Sequence, residues 1–335
     1  MPASATLPDG YRTLGRSGLV LSELAVGAST FGRTGMRAVG QDQVNRIVDR
    51  AIDLGVTYFD LAEGYGDRTG LSEELFGNAL RGRREQVVVG TKFGRSLAAD
   101  RGPSYSLTGA RKYVVASVED SLRRLRTDYI DLYQIHFPDS RTPIDETLSA
   151  LDVLVRDGKV RYVGASNFKA WQVADAEHVA AARGYSRFVS TTDEYSLLWR
   201  KPEEELIPAL EHYGLGLLPY FPLQNGLLTG KYTRDHAPAG AKITNLKTYL
   251  LGEAPWDALD RFAKFAAERG VTPSAVAIGW LLAQPTVASV IAGVTVPEQL
   301  DENLLATRWR PTAEDDRELR ELFPGTLSGG PGRVG

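Results

Sequence analysis

Apolar and polar positions alternate along this chain in two rhythms that succeed each other. Short apolar runs rich in β-branched and aromatic residues read as buried strands. They begin near residues 24, 57, 87, 130, 162, 188, 215 and 290. Between them lie stretches with helical spacing. Val44, Ile47, Val48, Ala51 and Ile52 mark one helix face, and Leu71, Leu75, Phe76 and Ala79 a second. Val114, Val115, Val118, Leu122 and Leu125 mark a third, and Ile144, Leu148, Leu151 and Val155 a fourth. Further helices are predicted over about 170–183, 203–212, and around Leu259, Val276 and Pro297. Asp42, Ser72, Thr108 and Thr142 stand where helices could begin, and Gly55 and Gly158 where they could end. Ahead of the first buried strand, Tyr11–Leu14 and Leu19–Leu21 flank a glycine turn and read as a hairpin.

Eight strands alternating with crossover helices predict a (β/α)8 barrel, with a doubly wound sheet as the runner-up. No composition shift splits the chain, so residues 1–335 read as one domain, with a loose leader over 1–10 and a disordered tail over 325–335. The segments 93–109, 221–255 and from about 307 onward are too long for simple connections; in a barrel such loops frame the active-site mouth.

Composition narrows the function. Charge is nearly balanced, with Lys+Arg 39 against Asp+Glu 42, which argues against a nucleic-acid partner. No apolar run is long enough to span a membrane and no signal peptide opens the chain, so a soluble, cytoplasmic protein is expected. Cysteine is absent, which removes disulfides, thiol nucleophiles and thiolate metal sites. The histidines, His136, His178, His212 and His236, lack metal-ligand spacing, and no metal site is expected.

Barrel enzymes carry their chemistry where strands end. Reading those ends gives Asp60, Tyr65 just beyond it, Lys92 and His136. Each has an ordinary alternative: a capping acid, a loop aromatic, a solvated lysine, a structural histidine. Together they describe an acid. A phenol titrates too high for easy work at neutral pH, and a neighbouring ammonium lowers it. An aspartate fixes that ammonium, and a histidine can hydrogen-bond a substrate oxygen. Such a set protonates the alkoxide that develops when a carbonyl receives hydride, and hydride requires a cofactor. A Schiff-base aldolase using Lys92 is the competing enzyme class.

Phe59-Asp-Leu-Ala-Glu-Gly-Tyr-Gly66, Ser72-Glu-Glu-Leu-Phe-Gly77, Thr127-Asp-Tyr-Ile-Asp-Leu-Tyr-Gln-Ile-His136, Gly158-Lys-Val-Arg-Tyr-Val-Gly-Ala-Ser-Asn-Phe168 and Gly226-Leu-Leu-Thr-Gly-Lys231 extend the pattern over nearly the whole chain. With them the sequence resembles the aldo-keto reductases. The resemblance implies a (β/α)8 barrel closed below by the hairpin, and a catalytic set on Asp60, Tyr65, Lys92 and His136. It also implies a nicotinamide dinucleotide lying across the mouth. No G-x-G-x-x-G follows a strand, which agrees with that implication.

By the same resemblance, Ser166, Asn167 and the Thr192 position meet the nicotinamide carboxamide, and Tyr220 stacks on its ring. Phe221, Leu223, Gly226, Leu228 and Lys231 surround the pyrophosphate. Gly293, Thr295, Gln299, Glu302 and Asn303 meet the adenosine end. The family also includes β subunits of potassium channels, which gives a cofactor-binding redox sensor as an alternative.

Two departures stand out. Thr192 occupies a position where the family usually has glutamine, at a cost of about 1 kcal/mol for one lost hydrogen bond. The run Gly293–Gln299 contains Glu298 and no basic residue to pair with a 2′-phosphate. NADP(H) is favoured, with NAD(H) possible. The expected substrate is a small aldehyde or ketone. Phe31, Phe93 and Phe137 are the candidates for its aromatic wall, with Trp199 and Trp309 further out, and Phe93 and Phe137 preferred because each follows a member of the catalytic set.

Overall fold

The computed structural model describes residues 7–34, 39–95, 101–238, 243–244, 247–325 and 327. Residues 1–6 of the expected leader and nearly all of the expected disordered tail lie outside the described residues.

Two short strands, β1 (Tyr11–Thr13) and β2 (Val20–Ser22), form an antiparallel hairpin. Eight parallel strands follow: β3 (Leu24–Gly27), β4 (Tyr58–Asp60), β5 (Val88–Phe93), β6 (Ile130–Ile135), β7 (Val160–Ser166), β8 (Phe188–Glu194), β9 (Gly216–Tyr220) and β10 (Val290–Gly293). They close in that order, β10 pairing with both β3 and β9. The predicted (β/α)8 barrel is therefore the fold.

Side chains alternate between two cores because a strand has period two. Inward residues Ala25, Tyr58, Leu132, Leu218 and Ile291 pack on Leu14, Leu19 and Leu21 from the hairpin, which plugs the barrel bottom. The Arg16 amide donates to Gly214 O at 2.9 Å, docking the hairpin turn beneath β9. Outward residues such as Val26, Phe59, Val89 and Tyr133 join the apolar faces of the helices. No helix among the described residues is long and apolar enough to cross a membrane.

Several helix starts differ from the sequence expectation. The helix Arg111–Leu125 begins after Ala110, not at Thr108. The helix Ile144–Arg156 takes Pro143 as its N-cap, because the Thr142 hydroxyl donates to Asp139 at 2.8 Å instead. Ser72 lies inside the helix Leu71–Ala79 and donates to Ala28 O at 2.8 Å, and Asp42 lies in the first turn of Gln41–Asp53. The segment beyond 307 contains a helix, Ala313–Leu322, whose capping box pairs Thr312 with Asp315.

Candidate active site

Strand β4 ends at Asp60, and the chain then runs along β5 through a short ladder. Leu61 N donates to Gly90 O at 2.8 Å and Glu63 N to Lys92 O at 2.9 Å. Tyr65 N turns back to Ala62 O at 3.1 Å. Gly66 has φ 96°, and a Cβ there would stand 2.8 Å from the Leu71 Cβ, so the turn that presents Tyr65 requires glycine.

Asp60, Lys92 and His136 all point into the barrel mouth and are almost wholly buried. The Lys92 ammonium donates to both Asp60 carboxylate oxygens at 2.6 Å, to Leu61 O at 3.1 Å and to the Tyr65 hydroxyl at 3.4 Å. The His136 ring meets the Tyr65 ring edge-on, centroids 5.7 Å apart. The four residues read from strand ends therefore converge on one point.

Burial works against the Lys92 charge, but the Asp60 carboxylate outweighs it and holds the ammonium above its usual range. Burial likewise pushes Asp60 up, with Lys92 pulling against it. Tyr65 differs from the sequence expectation. Lys92 does lower it, but burial raises it more, so the phenol is fully protonated at neutral pH. Burial, aided by Lys92 and Arg95, pushes His136 well below the ordinary histidine range, and the ring is neutral. Its buried Nδ1 has no hydrogen-bond partner among the described residues.

Asn167, at the end of β7, has φ 60° and is held on three sides. Its Nδ2 donates to His136 O and to Ser166 Oγ, both at 2.9 Å, and its Oδ1 accepts from the Tyr220 hydroxyl at 2.8 Å. Ser166 Oγ donates to Thr192 O at 2.7 Å. The Thr192 hydroxyl points into the barrel and donates to Gln134 Oε1 at 2.6 Å. It is satisfied by the protein, and Thr192 is 1% exposed. Gln134 is a site neighbour that reading along the chain misses, because its pairing with Thr192 depends on the register of β6, β7 and β8.

After β9 the backbone takes left-handed values at Phe221, Gln224, Asn225 and Gly226. The amides of Gln224, Gly226 and Leu228 are used by the carbonyls of Phe221 and Leu223. A Cβ on Gly226 would come within 2.9 Å of Lys231 Cε, so the lysine stem lies across a cradle that only glycine leaves open. Among the described residues no carboxylate pairs with Lys231. Thr295 and Gln299 bond each other, the Thr295 amide donating to Gln299 Oε1 at 2.7 Å. Gln299, Glu302 and Asn303 share one face of the helix Glu298–Ala306, and Gly293 leaves open space at the end of β10.

The aromatic wall is smaller than expected. Phe137 is part-exposed and stacks on His136, centroids 4.7 Å apart. Phe93 points the other way. It follows inward-facing Lys92 in a strand, so it must face the helices, where it stacks on Tyr133 at 4.9 Å with no exposure. Phe31 is likewise fully buried in the outer core. Trp309 packs on Phe265 beside Arg310, which pairs with Glu23 at the start of β3, the end opposite the mouth.

Fold and site together define a barrel whose mouth is built around a buried lysine–aspartate pair and a tyrosine. The model described as the aldo/keto reductase family matches residues 23–322, and the chain belongs to that family. It is 37% identical over 323 residues to an uncharacterized oxidoreductase, YrpG, of Bacillus subtilis (strain 168), covering 94% of this chain and 96% of that protein. It is 35% identical over 309 residues to L-glyceraldehyde 3-phosphate reductase of Escherichia coli (strain K12), covering 88% and 87%. It is 36% identical over 308 residues to a probable voltage-gated potassium channel subunit beta of Oryza sativa subsp. japonica, covering 88% and 90%. Membership supports an oxidoreductase that handles small carbonyl compounds with a nicotinamide cofactor. Among the described residues no group of His, Cys, Asp and Glu could hold a metal ion.

Proposed function

We propose that the chain reduces an aldehyde or ketone to an alcohol, using NADPH in preference to NADH, with Tyr65 as the proton donor. The observation that carries this reading is the 3.4 Å approach of the Lys92 ammonium to a phenol that burial keeps protonated.

The residues around the mouth suit such a cofactor. The cradle at Gly226 with Lys231 across it suits a pyrophosphate, and the Tyr220 ring, tied to Asn167, suits a nicotinamide face. Asn167 Nδ2 has spent both protons, so Asn167 and Ser166 can offer a carboxamide only acceptor lone pairs. Phe221, Leu223 and Leu228 would line the pyrophosphate side, and Gly293, Thr295, Gln299, Glu302 and Asn303 the adenosine side. The bound nicotinamide supplies the hydride.

The protein's part is the proton. Tyr65 and neutral His136 offer hydrogen bonds to the carbonyl oxygen, which polarises it. As charge develops there, the Tyr65 O–H bond breaks and its proton passes to that oxygen. The phenolate left behind faces Lys92, whose charge is fixed by Asp60, and solvent returns the proton.

Lys92 as a Schiff-base nucleophile is disfavoured by the same geometry, since an amine must lose its proton to attack and Asp60 holds this one on. The similarity to proteins named as channel β subunits favours a second reading, a cofactor-binding sensor with slow turnover. Consumption of NADPH and of NADH, measured side by side with 4-nitrobenzaldehyde as acceptor, tests both. Repeated turnover supports the reductase. A single slow turnover with nucleotide held tightly supports the sensor.

A further inference from the structure

Arg95 lies three residues beyond Lys92, on the rim of the mouth. Its amide and that of Gly94 both donate to Glu63 Oε1 at 2.8 Å. Glu63 has no solvent exposure and also accepts from the Tyr113 hydroxyl at 2.5 Å and Ser117 Oγ at 2.6 Å. One buried carboxylate therefore ties the turn after β5 to the Tyr65 loop and to the helix Arg111–Leu125. Arg95 leaves from a backbone that is held in place.

Its side chain lies over Phe137, the guanidinium carbon 5.6 Å from the ring centroid. Phe137 stacks on His136 at 4.7 Å with 15° between planes, and His136 abuts Tyr65. The cation is thus stacked onto the aromatic series that ends at the proton donor. Its charge is felt there, lowering both Tyr65 and His136, although burial dominates each.

Several arginines of this chain are matched to acids, as Arg84 is to Asp131, Arg124 to Glu73 and Arg269 to Asp315, while Arg126 and Arg261 bond an amide and a carbonyl oxygen instead. Arg95 forms no ion pair among the described residues. Among the described residues, the aspartates that end β4 or lie two residues beyond Tyr65 and Phe137 have partners of their own: Asp60 has Lys92, Asp139 has Thr142 and the Gly109 amide, and Asp67 has the Thr34 amide. Nor does Arg95 stand on the side of the mouth assigned to the pyrophosphate. β5 and β9 are four steps apart around the eight-stranded ring, on opposite sides.

Resting on the reductase reading, we propose that Arg95 recognises an anionic group of the substrate, so that the preferred carbonyl compounds carry a carboxylate or a phosphate, with Phe137 as the apolar floor. A guanidinium fork matches either anion with two parallel hydrogen bonds, and stacking on an aromatic face keeps that fork flat.

The test compares kcat/KM for 4-carboxybenzaldehyde with that for its methyl ester, in the wild type, Arg95→Met and Arg95→Lys at low ionic strength. The wild type is expected to prefer the acid by about tenfold, as for a charge-assisted pair at a solvated rim. The ratio should collapse toward unity in Arg95→Met and be partly kept in Arg95→Lys. Glycolaldehyde phosphate against glycolaldehyde forms a second pair, and the pair with the larger ratio identifies the anion. No preference in either pair, or a preference unchanged in Arg95→Met, overturns the proposal. Calorimetric titration with benzoate and with benzamide requires no turnover. Benzoate should bind about tenfold more weakly to Arg95→Met while benzamide does not discriminate. Equal benzoate binding to both proteins overturns the anion site. Benzoate binding through Arg95 without reduction of any carbonyl compound overturns the reductase reading and leaves the anion site standing.

Discussion

Lys92 Nζ stands 3.4 Å from the Tyr65 hydroxyl while both carboxylate oxygens of Asp60 hold it at 2.6 Å. The lysine is 1% exposed, so solvent scarcely competes for its charge. A buried ammonium fixed beside a half-buried phenol stabilises the phenolate more than the phenol, and that difference is what an acid catalyst requires.

Tyr65→Phe removes the proton and leaves the ring. Reduction should fall roughly 10²- to 10⁴-fold, the usual value of a positioned general acid. Nucleotide affinity, read by fluorescence titration, should be nearly unchanged. A variant that kept most of its rate would place the acid elsewhere.

Lys92→Met strands the Asp60 charge in the barrel. Breaking a buried pair in this way costs about 3–5 kcal/mol, visible as a lower urea midpoint. The double variant Asp60→Asn with Lys92→Met should regain much of that loss, because no buried charge is left unpaired, yet stay as slow as Lys92→Met alone. If the double variant were no more stable than the single one, the pair would not be the source of the cost.

The rate of reduction should be flat between about pH 6 and 9. Burial keeps Tyr65 protonated above its ordinary range, near 10, and keeps His136 neutral below its own, near 6.5. Neither group changes state in that window. A steep loss of rate near neutrality, measured with saturating nucleotide, would mean that His136 works as a cation.

Thr192→Val replaces the hydroxyl by a methyl group and leaves Gln134 Oε1 without its 2.6 Å donor. A stability loss of about 1–2 kcal/mol is expected, with little change in nucleotide affinity. Thr192→Gln, which restores the residue usual in the family, should overpack a position that is 1% exposed and cost about 1–3 kcal/mol. Tighter nucleotide binding by the glutamine variant would show that the position does reach the mouth.

What the sequence makes legible follows from what strands and helices reveal one at a time. A strand end can be read from its apolar run, so Asp60, Lys92 and His136 were accessible. Tyr65 followed from the glycines on either side of it. Alternation would also have turned Phe93 away from the mouth, since Lys92 immediately before it points inward, but its place beside Lys92 suggested otherwise. Glu63 and Gln134 were out of reach. Glu63 takes its partners from the turn after β5 and from the helix Arg111–Leu125, and Gln134 meets Thr192 only after β6, β7 and β8 are in register. The same limit applies to Lys231, whose contact with Gly226 depends on a left-handed loop, and to the cap at Pro143, where Asp139 takes the Thr142 hydroxyl.

Asp193, next to Thr192, carries a stability liability. It is 8% exposed, its Oδ2 has no hydrogen-bond partner among the described residues, and burial pushes it up to about 8. The unfolded chain releases this proton near pH 3.9, whereas the folded protein keeps it to about 8. The folded state therefore binds more protons between those values, and the stability it draws from Asp193 is lost as pH rises through that window. Asp193→Asn keeps the shape and removes the titration. The variant should gain on the wild type as pH rises, by at least about 1.4 kcal/mol between pH 5 and 9, which corresponds to a tenfold difference in proton affinity between the folded and unfolded chains. Urea unfolding of both proteins at the two pH values measures the gain. A difference that is the same at both would mean that Asp193 titrates as an ordinary surface carboxylate, and that its unpaired oxygen meets water.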